Sequence, residues 1–349
     1  RYVAIFSNGN VRVFELDGTE KTVNKPDGTT YLNTSDPRSV IKTVTIADFT
    51  FVVNTSVTAA MDSTLSEAAS NITQAVVFIN QVSDKTTYSI TVDGVTVTDD
   101  TSSDSTLSTT QVASDLVSGL NSGPTGFTIA RNGPVIHIKK TDGSNFSIDG
   151  NDTQGNTQMT IVKDTIQRFT DLPTVSPNGY IVEVKGDETT DFDNYYVKFV
   201  TNNGNAFEEG QWEECVQPGI EFKFNYDTMP HVLVRQADGN FRFARVDGDT
   251  YTISGTNYTL PKWGERTVGD LDSAPSPSFI GSKINNVFFF RNRLGFLADD
   301  NVVLSRAAEF FNFFPETVLS VIDSEPIDVA ASHTKVAILR SAVTVEQEL

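Results

Sequence analysis

The chain has 349 residues, with 45 Asp plus Glu against 26 Lys plus Arg, a formal net charge of -19, a single cysteine and three histidines. That length accommodates two or three domains, or one large β architecture carrying an insertion. The lone Cys215 excludes an intramolecular disulfide, and no uncharged apolar run approaches the roughly 20 residues that a bilayer-crossing helix needs. The acidic balance argues against wrapping a phosphate backbone, which rewards basic patches; an acidic wall repels a polyanion without trapping it, which suits a conduit, and the equal alternative is that the acidity only confers solubility.

The sequence opens at Arg1 with no initiator Met and no leader-like apolar run, and it reads as a piece of a longer polypeptide. Tyr2 to Phe6 alternates in polarity, Asn8-Gly9-Asn10 offers the positive-φ residues of a tight hairpin, and Val11, Val13 and Leu16 alternate up to Asp17-Gly18. Ile41 to Ile46 and Phe49 to Val53 follow as strands on either side of Ala47-Asp48. Short antiparallel strands at this spacing suit a sandwich, a barrel or a propeller blade.

Between about Ser56 and Lys163 the composition shifts to Ser, Thr, Asp and Gly, with 11 acidic residues against 5 basic ones, as expected of an inserted module. Thr64-Leu65-Ser66-Glu67 matches a capping box and predicts a short helix, and Thr87 to Val97 predicts a hairpin turning at Asp93-Gly94. A second capping box, Ser108 to Gln111, precedes Val112, Leu116, Val117 and Leu120 on one helical face, and Asn121-Ser122-Gly123-Pro124 ends that helix. Phe127 to Ala130 and Val135 to Ile138 form another hairpin across Asn132-Gly133. The order β-β-α-β-β predicts a small α+β domain.

From Thr165 the β signal returns with more aromatic residues. Strands are predicted at Tyr180 to Val184, Tyr195 to Val200, Phe207 to Val216, Glu221 to Phe224, His231 to Arg235, Asn240 to Arg245 and Tyr251 to Tyr258. Pro261 to Pro277 reads as a connector. Phe288 to Phe314 then carries the densest aromatic face of the chain: three strands turning at Arg291-Asn292-Arg293 and at Asp299-Asp300-Asn301, with a helical turn expected at Arg306-Ala307-Ala308-Glu309 before Phe310, Phe311, Phe313 and Phe314. Apolar area on this scale requires a large partner surface, with a buried core as the default. Ile327 to Ala330 and Lys335 to Leu339 predict a further strand pair.

Chemistry is sparse. His137, His231 and His333 lie in different segments without metal-like spacing, and there is no nucleophile elbow, Walker A sequence, dinucleotide fingerprint or Cys-x-x-Cys. Asp142-Gly143 and Asp149-Gly150-Asn151-Asp152 miss the EF-hand order of oxygens and read as loop turns. No catalytic, cofactor or metal site is expected. Adjacent carboxylates occur at Asp187-Glu188, Glu208-Glu209 and Glu213-Glu214; a glycosidase needs two opposed carboxylates roughly 5 to 9 Å apart, and Glu208, Glu213 and Asp187 are the candidates for that chemistry. Neighbours on a strand point to opposite faces, which favours solvated edges instead. Arg291 and Arg293, spaced i and i+2, would share a face of a strand, free either to meet a carboxylate of a neighbouring subunit or to pair with Asp299 or Asp300 across the hairpin.

Asp227 to Arg235, Ala237 to Phe241, Pro277 to Gly281, Asn286 to Phe296, Ser305-Arg306 and Phe311 with Phe313 together resemble the tail tubular protein B, or nozzle, family of short-tailed bacteriophages; FFFRNRLGF is the most specific piece. Tyr2 to Phe14, Thr45 to Asn54 and Pro326 to Ala330 extend the resemblance, which covers about residues 1–55 and 170–345. The resemblance implies a virion protein of the tail: a homohexameric tube below the portal and adaptor (tail tubular protein A), close to the tail fibres, through which double-stranded DNA passes without specific binding. It also implies a β-propeller-like platform formed by residues 1–55 and 164–349, with residues 56–163 as an inserted α+β domain. Arg291, Arg293, Arg306, Phe310 and Phe313 are its candidate subunit or platform contacts. The alternative is a carbohydrate-degrading or receptor-binding protein of the tail surface.

Overall fold

Hairpins form where the sequence supplies residues that tolerate positive φ. Asp93-Gly94 (φ 46 and 81) and Ser254-Gly255 (φ 50 and 83) occupy both central positions of tight turns, the type I′ geometry that matches the twist of the flanking strands. Gly9 (φ 63) turns the first hairpin, and Gly133 (φ 57), followed by Pro134, turns another one residue later than Asn132-Gly133 would place it.

The computed structural model describes residues 1–67, 71–186, 194–331 and 338–343. It is mainly β, in many small, mostly antiparallel sheets. Two compact units emerge: Arg1–Leu65 with Glu221–Thr267 and Ala274–Leu349, and Ser66–Ile220 with Val268–Ser273. Among the described residues no helix is long and apolar enough to cross a membrane.

In the first unit a five-stranded sheet runs in the order Val23–Asn24, Phe241–Ala244, His231–Arg235, Phe49–Asn54, Ile41–Ile46. Its Phe49–Asn54 strand has both faces covered. Phe51 and Val53 join a core with Trp263, Phe279 and Phe296, whereas Val52 packs with Val11, Val13 and Leu32. A four-stranded antiparallel sheet orders Ile284–Phe290, Arg293–Ala298, Asn301–Leu304 and Ile327–Ala330, so the aromatic stretch is strand, turn, strand, turn, strand, as its pattern predicts. Glu221 to Phe224, expected as a strand, makes only isolated bridges, Leu65 to Glu221 and Met61 to Phe224.

In the second unit a four-stranded sheet orders Phe127–Asn132, Val135–Lys140, Gln74–Ile79 and Met159–Val162. The Gln74–Ile79 strand is buried on both faces: Ala75, Val77 and Ile79 point into one core with Tyr88, Ile90 and the helix, and Val76 points into another with Tyr180, Val182 and Phe199. The helix spans Thr109–Ser122 behind Ser108 and buries Val112, Ala113, Leu116 and Leu120. Ser108 caps it through its carbonyl, which accepts from the Gln111 and Val112 amides, with no bond from its hydroxyl. Gly119 lets the helix approach the Val95–Asp100 strand, since a Cβ there would collide with Val97. A five-stranded sheet includes Ile181–Val184, Tyr195–Thr201 and Phe207–Cys215.

Three local expectations are corrected. Thr64 to Glu67 opens no helix: Asp62 accepts from Thr64, Leu65 bridges Glu221, and Ser66 Oγ donates to the Gln217 carbonyl while accepting from the Ile220 amide at 3.1 Å. Asp149 to Asp152 is not a loop but part of the Ile148–Asp152 strand, and the buried Asp152 carboxylate accepts from the amides of Gln154, Asn156 and Gln158 at 2.8 to 3.0 Å. Arg306 to Glu309 forms a bridged turn with Ala308 at φ 64, a left-handed conformation that a helix forbids. Of the Lys335 to Leu339 strand, residues 335–337 lie outside the described residues, and Ile338 and Leu339 form no strand.

Candidate functional site

The aromatic stretch is the candidate site, and it is assembled by two turns. Arg291 and Asn292 take φ 46 and 59, so the first turn is type I′ and Arg291 belongs to its tip rather than to a strand. Arg291 is exposed, with its guanidinium 5.3 Å from the Phe290 ring centroid. Arg293 heads the second strand and is buried: Nη1 donates to the carbonyls of Ser305 (2.7 Å) and Glu325 (2.5 Å), and Nη2 to that of Asp323 (2.7 Å). The two arginines therefore share no face, and neither pairs with Asp299 or Asp300. Asp299 instead accepts from Ser282 Oγ at 2.6 Å.

Arg306 is buried beside Glu309 (3.0 Å) and Glu316. Ser305 Oγ accepts from the Leu294 amide, and the Ala308 amide donates to the Asn292 carbonyl at 2.8 Å, so the Arg306 turn is tied back to the hairpin tip. Phe313 stacks on Phe296 with centroids 5.0 Å apart, and both meet Phe279 edge-on at 5.3 and 5.4 Å. Phe310 is half-buried, edge-on to Phe289 at 5.5 Å. Phe314 stacks on Phe224 at 5.1 Å, above the fully buried Arg266, which donates to the carbonyls of Ala274 and Glu221 and to Ser276 Oγ. Sequence reasoning did not single out Arg266. Its sole signal was an arginine inside an otherwise aperiodic connector, where the loop's own carbonyls need a donor. Gly295 faces Phe288 across the hairpin, and a Cβ there would collide with the ring, so the glycine makes room for an aromatic cover.

The carboxylate candidates are not brought together. Glu208 and Glu213 lie five residues apart on the uninterrupted Phe207–Cys215 strand, hence on opposite faces and roughly 17 Å apart along it, beyond the span that glycoside hydrolysis requires. Asp187 lies outside the described residues. His231 and His137 are held neutral, each pushed down to about 4 chiefly by burial, and Cys215 is raised to about 12 for the same reason. Among the described residues no three His, Cys, Asp or Glu side chains are grouped to hold a metal ion.

The most distinctive side chains of this mainly β chain turn into its own core, as in a structural building block. The family model described as bacteriophage nozzle protein matches residues 1–349, and the tail tubular protein gp12 of Escherichia phage T7 is 34% identical over 366 aligned positions, which cover 100% of this chain and 43% of that relative. The chain belongs to the bacteriophage nozzle protein family and is a structural component of the virion tail. It spans less than half the length of the relative it matches.

Proposed function

We propose that the protein forms a homohexameric tail nozzle on a β-propeller-like platform, continues the DNA channel below the portal and adaptor, and conducts the genome during ejection without catalysis of its own. Adaptor and tail fibres are its proposed neighbours, and the DNA passes along an acidic wall without specific binding. The observation that carries this reading is an open sheet edge. Ile327–Ala330 is the outer strand of its sheet, no strand pairs with its far edge among the described residues, and its Ile327 and Val329 side chains are exposed. Unpaired edge groups flanked by apolar side chains form a template that a neighbouring chain completes, and a heterologous contact whose rotation closes makes a ring. On this reading Arg291, at its exposed turn, is free to meet a neighbour, while Arg293, Arg306, Phe310 and Phe313 hold the platform.

Ile327→Lys with Val329→Lys in the full-length protein tests the edge. Both sites are exposed, so the fold persists, and sedimentation velocity is expected to show monomers while infectious particle yield falls. Hexamers that persist in the double variant would remove the edge from the interface.

A further inference from the structure

A second feature of the first unit is unexplained by its core or by the open edge. A cleft of about 830 Å³ is lined by Arg38, Lys42, Lys283 and Arg340, with Asp299 as its single carboxylate. Arg38 sits on the one-turn helix Pro37–Val40, Lys42 near the start of Ile41–Ile46, and Lys283 just ahead of Ile284–Phe290. Arg340 is held close by its backbone: Asn285 Nδ2 donates to the Leu339 carbonyl at 3.2 Å, and Asn286 Nδ2 to that of Arg340 at 3.0 Å.

These cations are set apart by converging on one concavity; lack of a carboxylate partner they share with Arg1, Arg235 and Arg291. Elsewhere in the unit Arg12 pairs with Glu20, Lys21 with Glu15, Arg242 with Asp249, and Arg245 with Asp27, Asp227 and Asp247. Carboxylates outnumber cations 45 to 26, yet among the described residues none pairs with the four cationic side chains of the cleft. Asp36, lowered by its hydrogen bonds from Ser39 and in part by Arg38 and Lys42, and Asp299 offset part of this charge, which leaves the cations in excess around one concavity and favours an anion from outside.

We propose that the cleft receives an acidic segment of a second copy of this protein, whose carboxylates complete the pairing of Arg38, Lys42, Lys283 and Arg340. The volume fits a few side chains rather than a duplex. A nucleic acid reaching past the cleft would meet the acidic remainder of the chain, whereas a second copy brings carboxylates in excess. Charge complementarity of this kind sets the register of a contact and speeds encounter, which the sheet edge alone does not provide. The inference rests on the ring proposed above.

The test uses full-length protein. Unlabelled and 15N-labelled monomers are mixed, assembled and coupled with a carbodiimide, which joins lysines to carboxylates in direct contact. Peptides carrying Lys42 or Lys283 are expected joined to Asp or Glu peptides of the other isotopic label. Arg38→Glu with Lys283→Glu, both at exposed and unpaired positions, should leave thermal unfolding unchanged and raise the protein concentration needed for assembly at least about tenfold. Intact rings whose cleft lysines couple only within their own chain would overturn this inference and leave the ring standing. Protein that never assembles defeats the ring and the cleft contact together. Normal assembly of the double variant, with loss only of its binding to a duplex DNA oligonucleotide, would reassign the cleft to nucleic acid.

Discussion

His231 shows how a polar side chain is made to serve as an aromatic one. It lies between Tyr31 (centroids 4.1 Å apart, 8° between planes) and Phe243 (5.5 Å, 27°), and its Nδ1 faces the Met229 carbonyl at 3.0 Å, so Nδ1 carries the proton of a neutral ring. Burial pushes its pKa down to about 4 from an ordinary value of 6.5. The unfolded chain thus binds the extra proton first as pH falls: the stability held by the neutral ring is complete above about 6.5, declines between 6.5 and 4, and changes no further below that. His137 acts in the same direction, while Asp99, raised to about 6 by burial and by Asp115, Asp104 and Asp100, acts in the opposite one. The two-way traffic calls for a comparison with His231→Phe, which lacks the titration. Between pH 7 and pH 4.5 the stability difference from urea midpoints should move roughly 2 to 3 kcal/mol in the variant's favour. A difference that stays constant would mean that His231 is already protonated, or accessible to water, in the folded state.

At the scale of elements, the Arg291 and Arg293 hairpin separates two roles that looked alike in the sequence. Arg291 is a turn tip, and Arg291→Ala should change stability by no more than about 0.5 kcal/mol. Arg293 holds the carbonyls of Ser305, Asp323 and Glu325, so Arg293→Ala orphans a set of acceptors, detaches the Ile322 to Glu325 segment from its strand, and should cost at least about 2 kcal/mol by denaturant titration. Equal effects of the two changes would contradict the geometry. Turns written with Asp-Gly were legible in the sequence because glycine at positive φ leaves few alternatives, whereas Ser254-Gly255 splits the Tyr251 to Tyr258 run, expected as one strand, into a hairpin. The turn at Arg291-Asn292-Arg293 was legible too, but not which arginine forms its tip, because the i and i+2 spacing invited a reading of both arginines as one strand face. The Gln74–Ile79 strand escaped notice for a different reason: buried on both faces, it is a continuous apolar run without the alternation that identifies a half-exposed strand. The Thr64 capping box was locally sound and was overridden by long-range pairing of Leu65 with Glu221 and of Ser66 with Ile220. Of the candidate site, the aromatic strands could be read from their pattern. The burial of Arg293 and Arg306 could not, because it depends on loops that only the folded chain brings alongside.

For the whole molecule, the division into units is also a schedule. The second unit is nearly continuous in sequence, Ser66–Ile220 with only Val268–Ser273 added, whereas the first is interrupted by it. The Phe49–Asn54 strand, covered on both faces in the finished fold, pairs with His231–Arg235, and Val52 cannot meet His231 until everything between them has been synthesised, roughly 10 to 40 s at ordinary translation rates. Of the two units, the one begun first is therefore completed second. Ribosome-stalled chains ending shortly after Glu221 should show a protease-resistant second unit while Phe49–Asn54 remains open to cleavage; early protection of that strand would reverse the order. During this interval an apolar strand with two bare faces is exposed in every nascent chain. Protection of the newborn Phe49–Asn54 strand, by a chaperone or by slow translation, follows from the interruption of the first unit as a requirement of production rather than of the finished particle.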